Sequence, residues 1–311
     1  MQSDGLSVGD PPAPPTRRGG SLSRLASNRY ILLAPALVAL AAVAGYPLFY
    51  GIRASFTKYR YGRDVGSAGF DNYDSVFRDS LFWQALGTTA KYVVLAVVLE
   101  TLLGLGLALL LSRELRFGGV LRVGLIIPMT IAPVVVGIIW RLMYASDVGV
   151  VNPLFEMFGL APPDVLTKPT SAFLGVVLVD VWEWTPLLFL IILAGLQSLP
   201  QEPIEAARVD GAGRLRTFFD HTLPLLAPVL VVAVVLRVID AVGTFDQIYV
   251  LTKGGPGTAT QLISEYSYNT AFQFTQYGEA MAMVVCLLVL MMFLFAFAIR
   301  RLRSAAAHVS T

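Results

Sequence analysis

The sequence predicts an all-α integral membrane protein with six transmembrane helices, and three observations predict it. Of 311 residues, 56% are hydrophobic and only 14% charged, with a mean hydropathy of +0.67; a soluble domain carries about a quarter charged residues. Six apolar runs each reach the ~20 residues that a helix needs to cross hydrocarbon. The polar residues collect between these runs, above all at 200–224, the longest polar interruption of the second half.

Taken in order, residues 1–28 are rich in Pro, Gly, Ser and Arg (DPPAPPTRRGG). They cannot bury a core, so a disordered cytoplasmic tail is expected. The first span is placed at 30–52. Ala42-Val43-Ala44 has the look of a signal-peptidase site, but the apolar run is too long and starts too late, so the segment is an anchor. The further spans are placed at 85–111, 121–144, 172–197, 225–251 and 278–299. Residues 29–303 form the expected membrane domain and 304–311 a second tail. An even count puts both termini on one side. Arg17, Arg18, Arg24, Arg29, Arg113, Arg116, Arg122, Arg208, Arg214, Arg216, Arg300, Arg301 and Arg303 then make that side cytoplasmic. The first outer loop runs against the pattern with Arg53, Lys58, Arg60, Arg63 and Arg78. A short helix is expected in the outer loop 145–171, and a second outer turn at Lys253-Gly254-Gly255-Pro256-Gly257.

Breaks and charges inside spans need partners or water. Pro128 and Pro133 interrupt the third span and Pro186 the fourth. Gly104 and Gly106 suggest close helix packing. Glu100 and Arg141 need partners that the sequence does not name. Asp180 and Glu183 flank Trp182 and Trp184 on the fourth span. Arg237 and Asp240, three apart, can pair on one helix face, and Asp246, Gln247 and Tyr249 follow. Carboxylates, amides and aromatic rings together are what a hydroxylated ligand would meet. The substrate-path candidates are therefore Asp180, Trp182, Glu183, Asp240, Asp246, Gln247 and Tyr249. The structural alternative stays open: a self-neutralising Arg237–Asp240 pair and tryptophans that pack or sit at the interface. On that alternative, Asp240→Asn would leave Arg237 unpaired and impair assembly.

The interruption at 200–224 reads PQEPIEAARVDGAGRLRTFFDHTLP. Pro203 suits a first helical turn, and Gly211 can take the positive φ of a sharp bend. Leu215, Phe218, Phe219 and Thr222 then follow i, i+3, i+4, i+7 spacing. Ala206 and Ala207 present little side chain, so a partner can approach closely. Two short helices joined at a glycine are expected, shaped to enter a groove.

Glu205-Ala206-Ala207, Gly211 and the terminal Leu223-Pro224 resemble the EAA loop of ABC-importer membrane subunits, with His221 where that family usually has an aliphatic residue. Tyr46-Pro47, Asp180-Val181-Trp182 and DAVGTFDQIYVLTKGGP at 240–256 resemble carbohydrate-importer permeases of the maltose/glycerol-phosphate type. The resemblance implies a type I ABC importer permease whose loop is the coupling helix seated in a cytoplasmic ATPase. It casts Glu205, Ala206, Ala207, Asp210, Gly211, Leu215, Phe218, Leu223 and Pro224 as coupling residues. It also implies a second, related permease, two copies of the ATPase, an extracytoplasmic binding protein, and a sugar or oligosaccharide as cargo. A polyol phosphate is the alternative cargo.

Several classes are excluded. None of Lys58, Lys91, Lys168 and Lys253 stands in a G-x-x-x-x-G-K-[ST] pattern, so ATP and Mg²⁺ belong to a partner chain and no catalytic residue is expected here. His221, His308 and the lone Cys286 make no metal-ligand spacing, and a net charge of +2 gives no nucleic-acid footprint. The rival is an ion-coupled secondary transporter using Glu100, Asp180, Glu183 and Asp240. The EAA-like loop has no use in such a protein.

Overall fold

A computed structural model describes residues 29–60, 62–112 and 118–309. The expected tail at 1–28 lies outside them, as do Arg113 and Arg116. The chain divides into two units, residues 1–50 and 51–311. Helix α1 (Arg29–Leu40) passes through a π-helical turn (Ala41–Gly45) into α2 (Tyr46–Ser55).

An element that the all-α expectation omitted comes next. Strands β1 (Thr57–Arg60) and β2 (Arg63–Ser67) pair antiparallel, turning at Gly62 with φ +74. Glycine is the residue that takes this conformation without strain. Asn72, on α3 (Asp71–Arg78), donates to the carbonyls of Ser55 and Thr57 at 2.8 and 3.0 Å and so fastens the hairpin.

The bundle is built on α4 (Ser80–Leu111), α8 (Pro169–Ser198), α11 (Leu223–Val242) and α14 (Tyr277–Val309). Most of the segment expected as a second tail is thus helical. By length and composition, five helices among the described residues could cross a membrane: Leu33–Ser55, Ser80–Leu111, Pro169–Ser198, Arg214–Val242 and Tyr277–Ala296. The expected third span is not one helix. It is α5 (Gly118–Ile126), a 3-10 turn (Pro128–Thr130) and α6 (Pro133–Tyr144). Ala132, before Pro133, sits extended at ψ 134, because proline's ring disfavours the α conformation in the residue ahead of it. Pro186 and Pro228, in contrast, lie inside unbroken helices.

The expected fifth span, 225–251, is also corrected at both ends. Its helix is already running at Arg214 and stops at Val242. After Gly243-Thr244-Phe245 the chain starts a separate helix, α12 (Asp246–Leu251), packed along α6. A Cβ on Gly137 of α6 would stand 2.8 Å from the Gln247 carbonyl oxygen, so the two backbones touch. Arg141 finds its partner here, donating to the Val250 carbonyl at 3.0 Å. The expected outer elements are α7 (Val151–Met157) and the turn at Lys253–Gly257, where Lys253, Gly254 and Gly257 all have positive φ.

Helices α4 and α8 form the most extensive packing pair. At Gly104 a Cβ would lie 3.0 Å from the Phe189 amide nitrogen, whereas a Cβ at Gly106 would meet no other part of the protein within 4 Å. Close packing holds for the first glycine only. Ala108, Leu188, Phe189, Ile192 and Leu226 bury completely where α4, α8 and α11 meet. Leu102, Leu110, Met292 and Phe293 stay exposed; lipid or a neighbouring subunit accepts such faces without cost.

Candidate functional site

Two regions collect the residues singled out by the sequence. In the loop, α9 (Glu202–Val209) opens with Pro203 in its first turn and with Glu202 and Glu205 facing the positive end of the helix dipole. Ile204 and Ala207, three apart, turn inward and bury, while Glu205 and Ala206 remain exposed. Ala207 is thus packed against its own chain, not offered to a partner. Gly211 ends the helix with φ +82. Its N–H donates to the Arg208 carbonyl at 3.1 Å, and the Ala212 N–H reaches the Ala207 carbonyl at 2.9 Å. This is the paired closure of a Schellman cap, and it aims the next segment away from α9.

Helix α10 (Arg214–Thr217) follows, then a π-helical turn (Phe218–Thr222) that leads into α11 without a break. Leu223-Pro224 therefore does not close the loop. Pro224 has no N–H, and the wide turn before it is capped by the Leu223 N–H donating to the Phe218 carbonyl. The expected apolar stripe divides: Leu215 and Phe219 are 76% and 59% exposed, while Phe218, Thr222 and Leu223 are half-buried. Asp210 and Pro224 are exposed. A groove of about 910 Å³ lies beside Ile204, Arg208, Leu215, Phe218 and Phe219.

The second region lies within the bundle, around Arg237, whose side chain is fully enclosed. Its Nε and Nη2 donate to the two carboxylate oxygens of Glu100 at 2.8 and 3.0 Å, the bidentate fork that suits guanidinium. Its Nη1 donates to Asp240 at 2.8 Å, and Nη2 also bonds Asp180. The Trp184 ring lies 5.3 Å from its Cζ, within cation–π range. The other Asp180 oxygen accepts from Gln247 Nε2 at 2.7 Å, and that amide also reaches the Tyr92 hydroxyl at 3.5 Å. One arginine thus ties α4, α8 and α11 together, and Asp180 extends the tie to α12. The expected Arg237–Asp240 pair exists but is a third of the arrangement. Glu100 gains its partner, and Asp240→Asn leaves Arg237 with two carboxylates, not unpaired.

Beside this cluster, where α11 breaks, a pocket of about 340 Å³ is lined by Pro133, Trp184, Asp240, Thr244, Phe245, Asp246 and Gln247 among others. Small-molecule sites are commonly of this size and mix aromatic walls with few polar groups. Asp240 has half its side chain exposed, and Asp246 is exposed. Of the other path candidates, Asp180 and Glu183 are buried behind the wall, and Trp182 packs edge-on against Trp140 at 5.5 Å. Tyr249 stacks on Phe245 at 5.1 Å. Thr244 and Phe245 were not singled out from the sequence. The signal was Gly243, a helix-breaking residue inside an apolar run.

Outside the candidate spans, Glu265 on α13 (Ile263–Phe272) is enclosed against the turn at Lys253–Gly257. Both its carboxylate oxygens would lie 3.0 Å from a Cβ at Gly254, and neither has a hydrogen-bond partner among the described residues. Burial pushes its carboxyl from 4.5 up to about 7. Below pH 4.5 folded and unfolded states both hold this proton. Between 4.5 and about 7 the unfolded chain releases it while the folded one keeps it, so the folded state loses stability as pH rises through this window, by about 3 kcal/mol at the plateau. Melting temperatures followed across pH should show Glu265→Gln gaining on wild type through the window and holding its lead above it. Parallel curves would show that Glu265 does not titrate this way.

Residues 100–307 match the family described as the binding-protein-dependent transport system inner membrane component. The chain is 42% identical over 252 residues to the probable ABC transporter permease protein y4oQ of Sinorhizobium fredii, covering 80% of this chain and 81% of that one. It is 42% identical over 217 residues to the trehalose/maltose transport system permease protein MalF of Thermococcus litoralis, covering 70% and 73%. Its fold is similar to a chain in the crystal structure of a bacterial alginate ABC transporter in complex with an alginate pentasaccharide-bound periplasmic protein, with a TM-score of 0.77 at 23% identity over 89% of this chain and 94% of that one. With two thirds of its length matched by the family and relatives above 40% identity, this multi-pass membrane protein belongs to the binding-protein-dependent transport system inner membrane components.

Proposed function

We propose that this chain is a permease subunit of an ATP-driven importer that carries a sugar or oligosaccharide into the cytoplasm after delivery by an extracytoplasmic binding protein. The observation that carries the reading is the helix–glycine–helix at 202–217 with the π-helical turn 218–222 that follows it. It exposes Val209, Leu215 and Phe219 and runs without a break into a membrane-length helix. A partner that moves this loop moves the helix carrying Arg237 and Asp240. Coupling falls to Glu205, Ala206, Asp210, Gly211, Leu215 and Phe218, which a cytoplasmic ATPase would contact. Two copies of that ATPase would hold ATP and Mg²⁺, a second permease would complete the path, and both termini would be cytoplasmic. The sugar cargo rests on the named relative that carries trehalose and maltose and on the pocket's carboxylates and rings. The ion-coupled alternative loses support because three of its four carboxylates, Glu100, Asp180 and Asp240, are engaged by Arg237.

Purification of the chain from its native cells in mild detergent, with every co-purifying protein identified, tests this. A second multi-span permease and a P-loop ATPase are expected, with ATP hydrolysis stimulated by the sugar-loaded binding protein. Recovery of this chain alone would overturn the reading.

A further inference from the structure

Resting on the sugar reading of the pocket at the α11–α12 break, we infer that this pocket is a charge filter that excludes anionic sugars, and that Asp240 is the residue that sets it. Two carboxylates, Asp240 and Asp246, stand in the lining, and among the described residues no Lys or Arg does. The nearest cation in the bundle, Arg237, cannot serve a ligand. It is fully enclosed, and its Nε, Nη1 and Nη2 are all donating to carboxylates. Behind the wall Arg237 is matched by Glu100 and Asp180, so that cluster supplies no net positive charge to offset the wall's own. Asp246 forms no ion pair among the described residues. Asp240 gives one oxygen, Oδ2, to Arg237 and keeps half its side chain open, which fixes the carboxylate while leaving it acceptor capacity. Such a group accepts hydrogen bonds from sugar hydroxyls, which donate, and repels the anionic group of a uronate, sulfonate or phosphate.

A like charge about 6 Å from Asp240, at the effective dielectric of such sites, is disfavoured about a hundredfold. Trp184 lines the pocket and is a direct reporter of occupancy, independent of transport.

The test uses the complete transporter with its co-purifying chains and no binding protein, so that selection by the binding protein does not enter. Tryptophan fluorescence is followed while matched methyl pyranosides and methyl pyranosiduronates (gluco, galacto and manno), with maltose and trehalose, are titrated in; Trp184→Phe identifies the pocket signal. A neutral sugar should quench, and its uronate should need about a hundredfold more. The quantity read is the uronate-to-neutral ratio, which Asp240→Asn should shrink by most of that hundredfold. Asp246→Asn should shrink it too, and it touches no ion pair, so it keeps the test open if the first variant folds poorly. A uronate that binds as tightly as its neutral counterpart, or a ratio unchanged in both variants, overturns the filter. If no sugar of either class quenches while the ATPase and second permease still co-purify, the sugar cargo falls and the filter with it, and the importer assignment stands.

Discussion

Arg237→Met is expected to be nearly absent from the membrane fraction, and what remains should melt far below wild type. The substitution keeps the volume and removes the charge. It leaves Glu100 and Asp180, both fully buried, facing each other without a cation. Breaking a buried ion pair from one side costs about 3–5 kcal/mol, and here one deletion strips two buried carboxylates at once. Arg237→Lys should fall between. It retains a charge but cannot make the fork to Glu100 while also reaching Asp180 and Asp240. Replacing the cluster as a unit, with Glu100→Gln and Asp180→Asn added to Arg237→Met, should recover much of the lost level, because the penalty lies in the uncompensated charges. Abundance and melting in detergent read all three. A single Arg237→Met variant at wild-type level and melting temperature would mean that the arginine holds nothing together.

That cluster also shows what sequence can and cannot disclose. Arg237 and Asp240 are three residues apart, and helix geometry alone pairs them. Glu100 and Asp180 lie 137 and 57 positions away; no spacing rule reaches that far, and only the crossing of α4 and α8 beside α11 brings them in. The helical breaks were legible as residues but not as outcomes. Pro133 stands at a break, as the first residue of α6, and Pro228 lies within a helix, although each is a proline in an apolar run; the residue ahead of Pro133 goes extended while the one ahead of Pro228 stays helical. At Gly243 the apolar run continues across the break, and hydropathy cannot register a change of direction. Ala206 and Ala207 are alike in type, and which of them faces inward follows from the phase set by Ile204. The hairpin at 57–67 went unseen for another reason. It is short and polar, and its identity rests on a positive φ at Gly62.

The bend at Gly211 is the place where a small backbone cost should produce a large functional loss. Its φ of +82 is a conformation that costs a residue bearing a Cβ about 1–2 kcal/mol, and more for a β-branched one. Beyond its two chain neighbours nothing lies within 4 Å of where a Cβ would be, so a side chain has room and only the backbone objects. Such a cost is too small to unfold the bundle, and it is enough to lower the bent conformer's population about tenfold. Uptake by proteoliposomes should therefore fall in the order Gly, Asn, Ala, Val at position 211. Asn tolerates the left-handed region best among residues with side chains, and Val tolerates it least. Abundance and melting should stay close to wild type throughout the series. With Gly211→Val the Schellman closure opens, α9 and α10 no longer hold their angle, and Leu215 and Phe219 leave the groove they line with Ile204 and Arg208. ATP hydrolysis would then lose its stimulation by the loaded binding protein while the unstimulated rate persists. A Gly211→Val variant that transports normally would remove the bend from the coupling path. A variant whose uptake and abundance fall together would make Gly211 a folding residue instead.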